Sequence, residues 1–208
     1  MADGPALVLR PATSADVKRL AAVMAQAFYA DPPLVWLLPD PATRLGRITR
    51  MFATTIGIES LRYGGVDMAC DGEKILGGAV WLPPGRWKPG FRTQVHAVPN
   101  YARALASASA WGRARQFGLA LEEAHPAEPH WYLKMIGVDP AWQGRGVASR
   151  LLRSRLNRCD QGGQPVYLEA SRPDGVPVYE HFGFRRAGDV AMPAGGPVLT
   201  AMWRAPAA

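Results

Sequence analysis

The sequence is poor in cysteine and in long apolar runs, and each shortage closes off a class of protein. Cys70 and Cys159 are the only cysteines, too few for a disulfide framework. No stretch of about 18 uncharged apolar residues is present to span a bilayer, and no basic segment followed by an apolar one stands near the start to act as a secretory leader. The expectation is a soluble, cytoplasmic protein with no membrane partner. His96, His125, His130 and His181 show no zinc-ligand spacing with each other or with the cysteines, so no metal is expected. The phosphate loop G-x-x-x-x-G-K-[ST] is missing as well.

What is present suits one domain over residues 1–208. Of the chain, 48% is hydrophobic, enough for a normal core at this length. The net charge is +7, and 20 of the 24 basic residues are arginine. They are scattered instead of gathered into a basic run interleaved with aromatics, which argues against nucleic acid as a partner. The balance suits either a cosubstrate bearing several phosphates or a plain solvated surface.

Strand and helix patterns alternate along the chain without internal repeats. Leu7 to Arg10 reads as a short strand. Thr13 or Ser14 then offers an N-cap, with Asp16 and Val17 in the first turn of a helix running to about Tyr29. Val17, Leu20, Ala21, Met24 and Phe28 recur at three and four residues, as one buried face requires. Asp31-Pro32-Pro33 is expected to stop that helix. A second helix is expected from near Pro41 to Ile56, and Val66 to Cys70 with Ile75 to Leu82 reads as a β-hairpin. The Ala-rich stretch from Pro89 to Glu128, broken by Pro99, Gly112 and Gly118, suggests two or three short helices.

Trp131 to Val138 reads as a strand. The helix after it carries Val147, Ala148, Leu151, Leu152, Leu156 and Cys159 inward, and Arg150, Arg153, Asn157 and Arg158 outward. Val166 to Glu169 is the next strand. A right-handed crossover makes the two strands parallel and leaves the helix N-terminus at the end of the sheet where ligands collect. A short helix around Pro177 to His181 and two further strands follow.

At that helix start stands Gln143-Gly144-Arg145-Gly146-Val147-Ala148. Gly144 and Gly146 put no Cβ in the way of backbone N–H groups closing on an anion. The third glycine of the dinucleotide fingerprint is absent, and the run lies past the middle of the chain. A pyrophosphate is the expected ligand; a Gly-rich turn with no ligand is the plain alternative.

With its Val138-Asp139-Pro140 lead-in, this run resembles the pyrophosphate loop of the GCN5-related N-acetyltransferases, read as Q/R-x-x-G-x-G/A. Tyr179-Glu180-His181-Phe182-Gly183-Phe184 resembles the family's Y-E-x-x-G-F signature. The order of expected elements is similar to that family over nearly the whole chain. His130-Trp131-Tyr132-Leu133, Leu168-Glu169-Ala170-Ser171, Val176-Pro177-Val178-Tyr179 and Trp81-Leu82-Pro83-Pro84 further resemble its puromycin N-acetyltransferase subgroup.

The resemblance implies an α/β (α+β) fold: a mixed central sheet of six to seven strands, flanked by helices, around a parallel βαβ unit. It implies an N-acetyltransferase that uses acetyl-coenzyme A and no metal. An amine of a small molecule, such as an aminonucleoside antibiotic, would attack the thioester directly. A protein or peptide acceptor, or a silent acyl-coenzyme A-binding module, are the alternatives, and the chain would be a monomer or homodimer. Ile136, Gly137 and Val138 would hydrogen-bond the pantetheine arm as an added strand does, with Gly137 allowing close approach. The amides of Gln143, Gly144, Arg145, Gly146, Val147 and Ala148 would hold the pyrophosphate, while the Arg145 side chain either contacts a phosphate or faces solvent.

Tyr179 stands where the family places the tyrosine that protonates the departing thiolate. Glu169, at its strand end, is the candidate for taking the amine's proton, or else a structural glutamate. Phe28, Tyr29, Asp31, Trp36 and Trp81 are the candidates for lining the acceptor site. Asp31 would attract a cationic amine or simply shape a turn, and Trp36 would line the site or simply pack. The subgroup tends to carry an Asn shortly before Pro-x-Tyr; here Asp174 and Gly175 stand there instead.

Overall fold

The computed structural model describes residues 7–207. Strand β1 (Val8–Pro11) leads into helices α1 (Val17–Ala27), α2 (Pro32–Leu37) and α3 (Pro41–Thr54). The hairpin β2 (Val66–Asp71) and β3 (Lys74–Leu82) precedes α4 (Phe91–Leu105) and α5 (Ala108–Ala124). Next come β4 (Trp131–Val138), α6 (Val147–Gln161) and β5 (Val166–Ala170), and α7 (Val176–His181), β6 (Arg185–Ala191) and β7 (Val198–Arg204) complete the order. The seven strands form one sheet in the order β1-β2-β3-β4-β5-β7-β6. Among the described residues only β4 and β5 pair in parallel, so the expected mixed sheet around a βαβ unit is what forms.

Three local expectations give way to specific chemistry. Asp16 occupies the cap position of α1 but turns its carboxylate backwards, accepting from Arg10 at 2.7 and 2.8 Å and from the Thr13 N–H and hydroxyl at 2.9 and 2.8 Å. The helix therefore starts at Val17 and not beside Thr13. Pro32 and Pro33 start a helix as well as following one, because a proline φ suits a first turn whose N–H has no partner anyway. Pro99 lies inside α4, and Gly112 and Gly118 lie inside α5, so two longer helices replace the suggested two or three short ones. After α3 the chain continues in a π-helical turn, Thr55–Ser60, and a short 3-10 turn, Leu61–Tyr63.

The sheet buries both faces. Leu20 and Met24 of α1 and Ile48 and Phe52 of α3 pack on one face with Met68 and Val80. On the other, Leu151, Leu152 and Leu156 of α6 pack with Trp81, Leu133 and Leu168. Phe117 and Leu121 of α5 cover Tyr132, Tyr167 and Leu199 towards the β6 end. Arg155 is the exception in the apolar stripe of α6: its guanidinium lies 2.7 Å from Asp67 of β2, and both residues are 5% exposed.

The functional consequence of the topology lies between β4 and β5. They pair only at Trp131↔Val166, Tyr132↔Tyr167 and Leu133↔Leu168, then run on separately to Val138 and Ala170. On its other side β4 bulges at Lys134, since Met135 pairs with Val80 while Leu133 pairs with the adjacent Trp81. The parted strands leave the edge of β4 from Met135 to Val138 without a partner on the β5 side.

Candidate active site

A cavity of about 990 Å³ occupies the parting. Its walls include Met135 to Val138 of β4, Leu168 to Ser171 at the tip of β5, Phe28 and Asp31 after α1, Gln143, Ala148 and Tyr179. Residues separated by some 150 positions thus face one space.

The loop before α6 is held from within. The Asp139 side chain accepts from the Ala141 N–H at 2.9 Å, and the Gln143 side chain donates to the Val138 carbonyl at 3.2 Å. Gly144 and Gly146 have φ of 74° and 75°, in the left-handed region. No atom lies within 4 Å of where a Cβ would stand on either. Their glycines serve backbone conformation as much as open access. The first bond of α6 runs from Arg150 N–H to Gly146 O at 3.0 Å, so the amides of Val147, Ala148 and Ser149 precede the helix ladder. Such a donor set, with the helix dipole behind it, fits a pyrophosphate. The exposed Arg145 guanidinium lies over the Trp142 ring, 4.8 Å from its centroid, with the Lys74 ammonium 5.1 Å from the same ring.

Gly137 needs a different explanation from the one its position suggested. A Cβ there would meet Phe28, Ala27 and Met24 at 2.9 to 3.2 Å, so the glycine lets α1 approach β4 and does not clear a path for a ligand.

Strand alternation sends Leu168 and Ala170 into the α6 core, and Glu169 to the opposite face with Tyr167. Glu169 Oε1 is buried with no hydrogen-bond partner. Burial pushes this carboxyl up to about 7, against the opposing pull of the Tyr132 and Tyr167 phenols and of Lys134. Tyr179 packs edge-on against Phe184. Burial, with a smaller contribution from the Asp31 charge, pushes its phenol up to about 12. Burial also raises Asp31 to about 6, while a hydrogen bond from Ser171 Oγ and the Arg172 charge act the other way.

Of the five acceptor-site candidates, Phe28 and Asp31 line the cavity and three do not. The Tyr29 hydroxyl donates to Pro41 O at 3.2 Å, and the ring carries the Arg44 guanidinium. Trp36 packs between two core clusters, against the backbone at Gly196. Trp81 is fully buried on the α6 side of the sheet. Sequence reasoning missed Thr55, Tyr101 and Lys134, which also line the cavity. The π-helical turn carrying Thr55 and the bulge at Lys134 have no local sequence signature, while the alternation Tyr167, Glu169, Ser171 was open to reading.

Comparison with known proteins agrees with this geometry. Residues 109–202, from α5 to β7, match the family model described as the acetyltransferase (GNAT) domain. A Schizosaccharomyces pombe protein described as an uncharacterized N-acetyltransferase is 29% identical over 180 residues, covering 81% of this chain and 70% of that protein. The N-alpha-acetyltransferase RimI of Mycobacterium tuberculosis is 47% identical over 55 residues, 26% of this chain and 34% of that protein. A solved structure described as histone acetyltransferase HPA2 and related acetyltransferase, from Corynebacterium glutamicum, is 29% identical with a TM-score of 0.71 over 97% of both chains. The polyamine N-acetyltransferase of Drosophila melanogaster shares the fold, with a TM-score of 0.64 at 15% identity, over 96% of this chain and 99% of that one. Over residues 109–202 the chain is similar to the acetyltransferase (GNAT) domain, its fold is that of the GNAT acetyltransferases, and these likenesses together make it an acyltransferase enzyme.

Proposed function

We propose that the protein transfers the acetyl group of acetyl-coenzyme A to the primary amine of a small molecule, by direct attack of the amine on the thioester. The observation that carries this reading is the single cavity between the parted strands, which Tyr179, Glu169, Asp31 and the β4 edge all share. Acetyl-coenzyme A supplies the activated acetyl group. The amides of Val147 and Ala148, with the loop from Gln143 to Gly146, hold its pyrophosphate, and Ile136 to Val138 offer the pantetheine arm an unpaired strand edge.

Glu169, with a pKa near neutrality, accepts a proton from the incoming ammonium, directly or through water, because only the neutral amine is nucleophilic. Tyr179, which stays protonated far above neutral pH, donates to the sulfur as negative charge develops on it. Asp31, tied to Ser171, favours a cationic group arriving at the same end of the cavity. Holding both substrates in one space supplies much of the acceleration.

The Drosophila neighbour and the agmatine N-acetyltransferase that shares the fold are named for small amines, which supports the class of acceptor. An aminonucleoside antibiotic belongs to the same class and rests on the sequence likeness alone. A protein or peptide N-terminus is the second reading, favoured by the names of the Corynebacterium and Mycobacterium relatives. The test is thiol release from acetyl-coenzyme A against puromycin, arylalkylamines, polyamines, amino acids and short peptides. Turnover on a small amine supports the first reading. Turnover on peptides alone supports the second.

A further inference from the structure

The acceptor half of the cavity carries a polar cluster that the reaction as described does not use. Lys134, at the β4 bulge, donates to Glu59 Oε2 at 2.9 Å. The Tyr101 hydroxyl donates to Glu59 Oε1 at 2.8 Å and lies 2.9 Å from Thr55 Oγ1. Thr55 and Glu59 come from the π-helical turn, an irregularity that often marks functional sites in helices. Thr55, Tyr101 and Lys134 line the cavity beside Phe28, Phe52 and Met135.

The donor and acceptor inventory of this cluster is unequal. Each Glu59 oxygen already has a partner, and the residue is 7% exposed, so its negative charge is answered in place. The Tyr101 hydroxyl is used as well. An ammonium has three N–H donors, and Lys134 uses one of them on Glu59. The Lys134 side chain remains 25% exposed. What the cluster offers a ligand is therefore a cationic donor with spare hydrogens, fixed by a buried carboxylate, on a wall otherwise apolar. Its charge is opposite to those of Asp31 and Glu169, and Glu169 lies within reach of its field.

We infer that the acceptor is a primary amine on an apolar or aromatic body that also carries a hydrogen-bond-accepting oxygen, a carboxylate, carbonyl or ether, and that Lys134 binds this oxygen. This rests on the small-amine reading above and narrows it. The amine goes to Asp31 and Glu169, and the oxygen goes to Lys134. A second ammonium in place of the oxygen would find only donors there, since both Glu59 oxygens are already used and Lys134 has no acceptor, so polyamines are selected against.

The full chain tests this with a matched set of arylalkylamines: one bare, one bearing a ring carboxylate, one bearing a ring carboxamide and one bearing a second aminomethyl group. The wild type should show a kcat/KM at least tenfold higher for the oxygen-bearing amines than for the diamine. In Lys134→Met that ratio should fall to within about threefold of unity. The double variant Glu59→Gln with Lys134→Met removes both charges together and should show the same loss of selectivity, which separates recognition from the effect of an unpaired buried carboxylate. Equal or better turnover of the diamine by the wild type, or a ratio unchanged in both variants, overturns the assignment of Lys134 and leaves the acetyl-transfer reading standing. Thiol release with peptides and with none of the amines overturns both.

Discussion

A carboxyl raised to about 7 and a phenol raised to about 12 face one cavity, and burial is the main cause of both shifts. The same desolvation suits them to the different duties proposed for them, since near neutrality the first exchanges a proton freely while the second keeps its own. The base must be ionised to act, so kcat/KM for acetyl transfer should rise with pH through about 7 and then level. Glu169→Gln should lower the plateau at least tenfold and remove that rise; a Gln variant keeping the full wild-type profile would take Glu169 out of the reaction. Tyr179→Phe keeps the ring against Phe184 and removes only the donor. Its kcat should fall at least tenfold while calorimetry finds acetyl-coenzyme A binding within about twofold of wild type. The resemblance singled out both residues as candidates, as did Glu169's place near a strand end, and their roles rest on the variants just described. Asp31 was open to two readings from sequence, because an Asp before Pro-Pro shapes a turn in any protein. The bond from Ser171, 140 positions away, is what turns it into a cavity group.

The loop into α6 was the most legible element, because its requirements are local: left-handed backbone at two points, then free amides. Gly146→Ala should cost about 1 kcal/mol of stability through its positive φ, and should weaken acetyl-coenzyme A binding about tenfold by calorimetry. Unchanged affinity would place the coenzyme elsewhere. Other elements could not be read because partners across the fold decide them. Pro99 sits in α4 on its exposed side, so the break it signals never forms. Trp81 looked like a binding residue beside Pro83-Pro84, yet strand alternation turns it into the α6 core. Arg155 sits in the inward stripe of α6 and reads as a flaw there until Asp67 of β2 appears beneath it. Arg155→Leu leaves that buried carboxylate with only the exposed Arg158 guanidinium, 3.9 Å away, as a partner, which should cost about 3 kcal/mol. Thermal unfolding should move down by about 10 °C, whereas a change below 2 °C, roughly half a kcal/mol on the same scale, would mean that water replaces the guanidinium.

Across the whole molecule, the sheet order brings the chemistry together. A sheet whose central parallel pair separates after three rungs creates both the strand edge and the cavity, and helices from each end of the chain close around them. The alternation of strands and helices made that architecture legible. The cavity's composition was not, because its walls come from the end of α1, the π-helical turn, α4, α5 and the tip of β5, whose meeting depends on packing far apart in sequence. The proposed direct attack requires both substrates to be present together, with no acetylated enzyme between them. The most direct test measures initial rates of thiol release while acetyl-coenzyme A and the best small amine are varied together. Intersecting double-reciprocal lines are the result expected from direct attack within one cavity. Parallel lines, or thiol release that does not depend on any small amine, would contradict it.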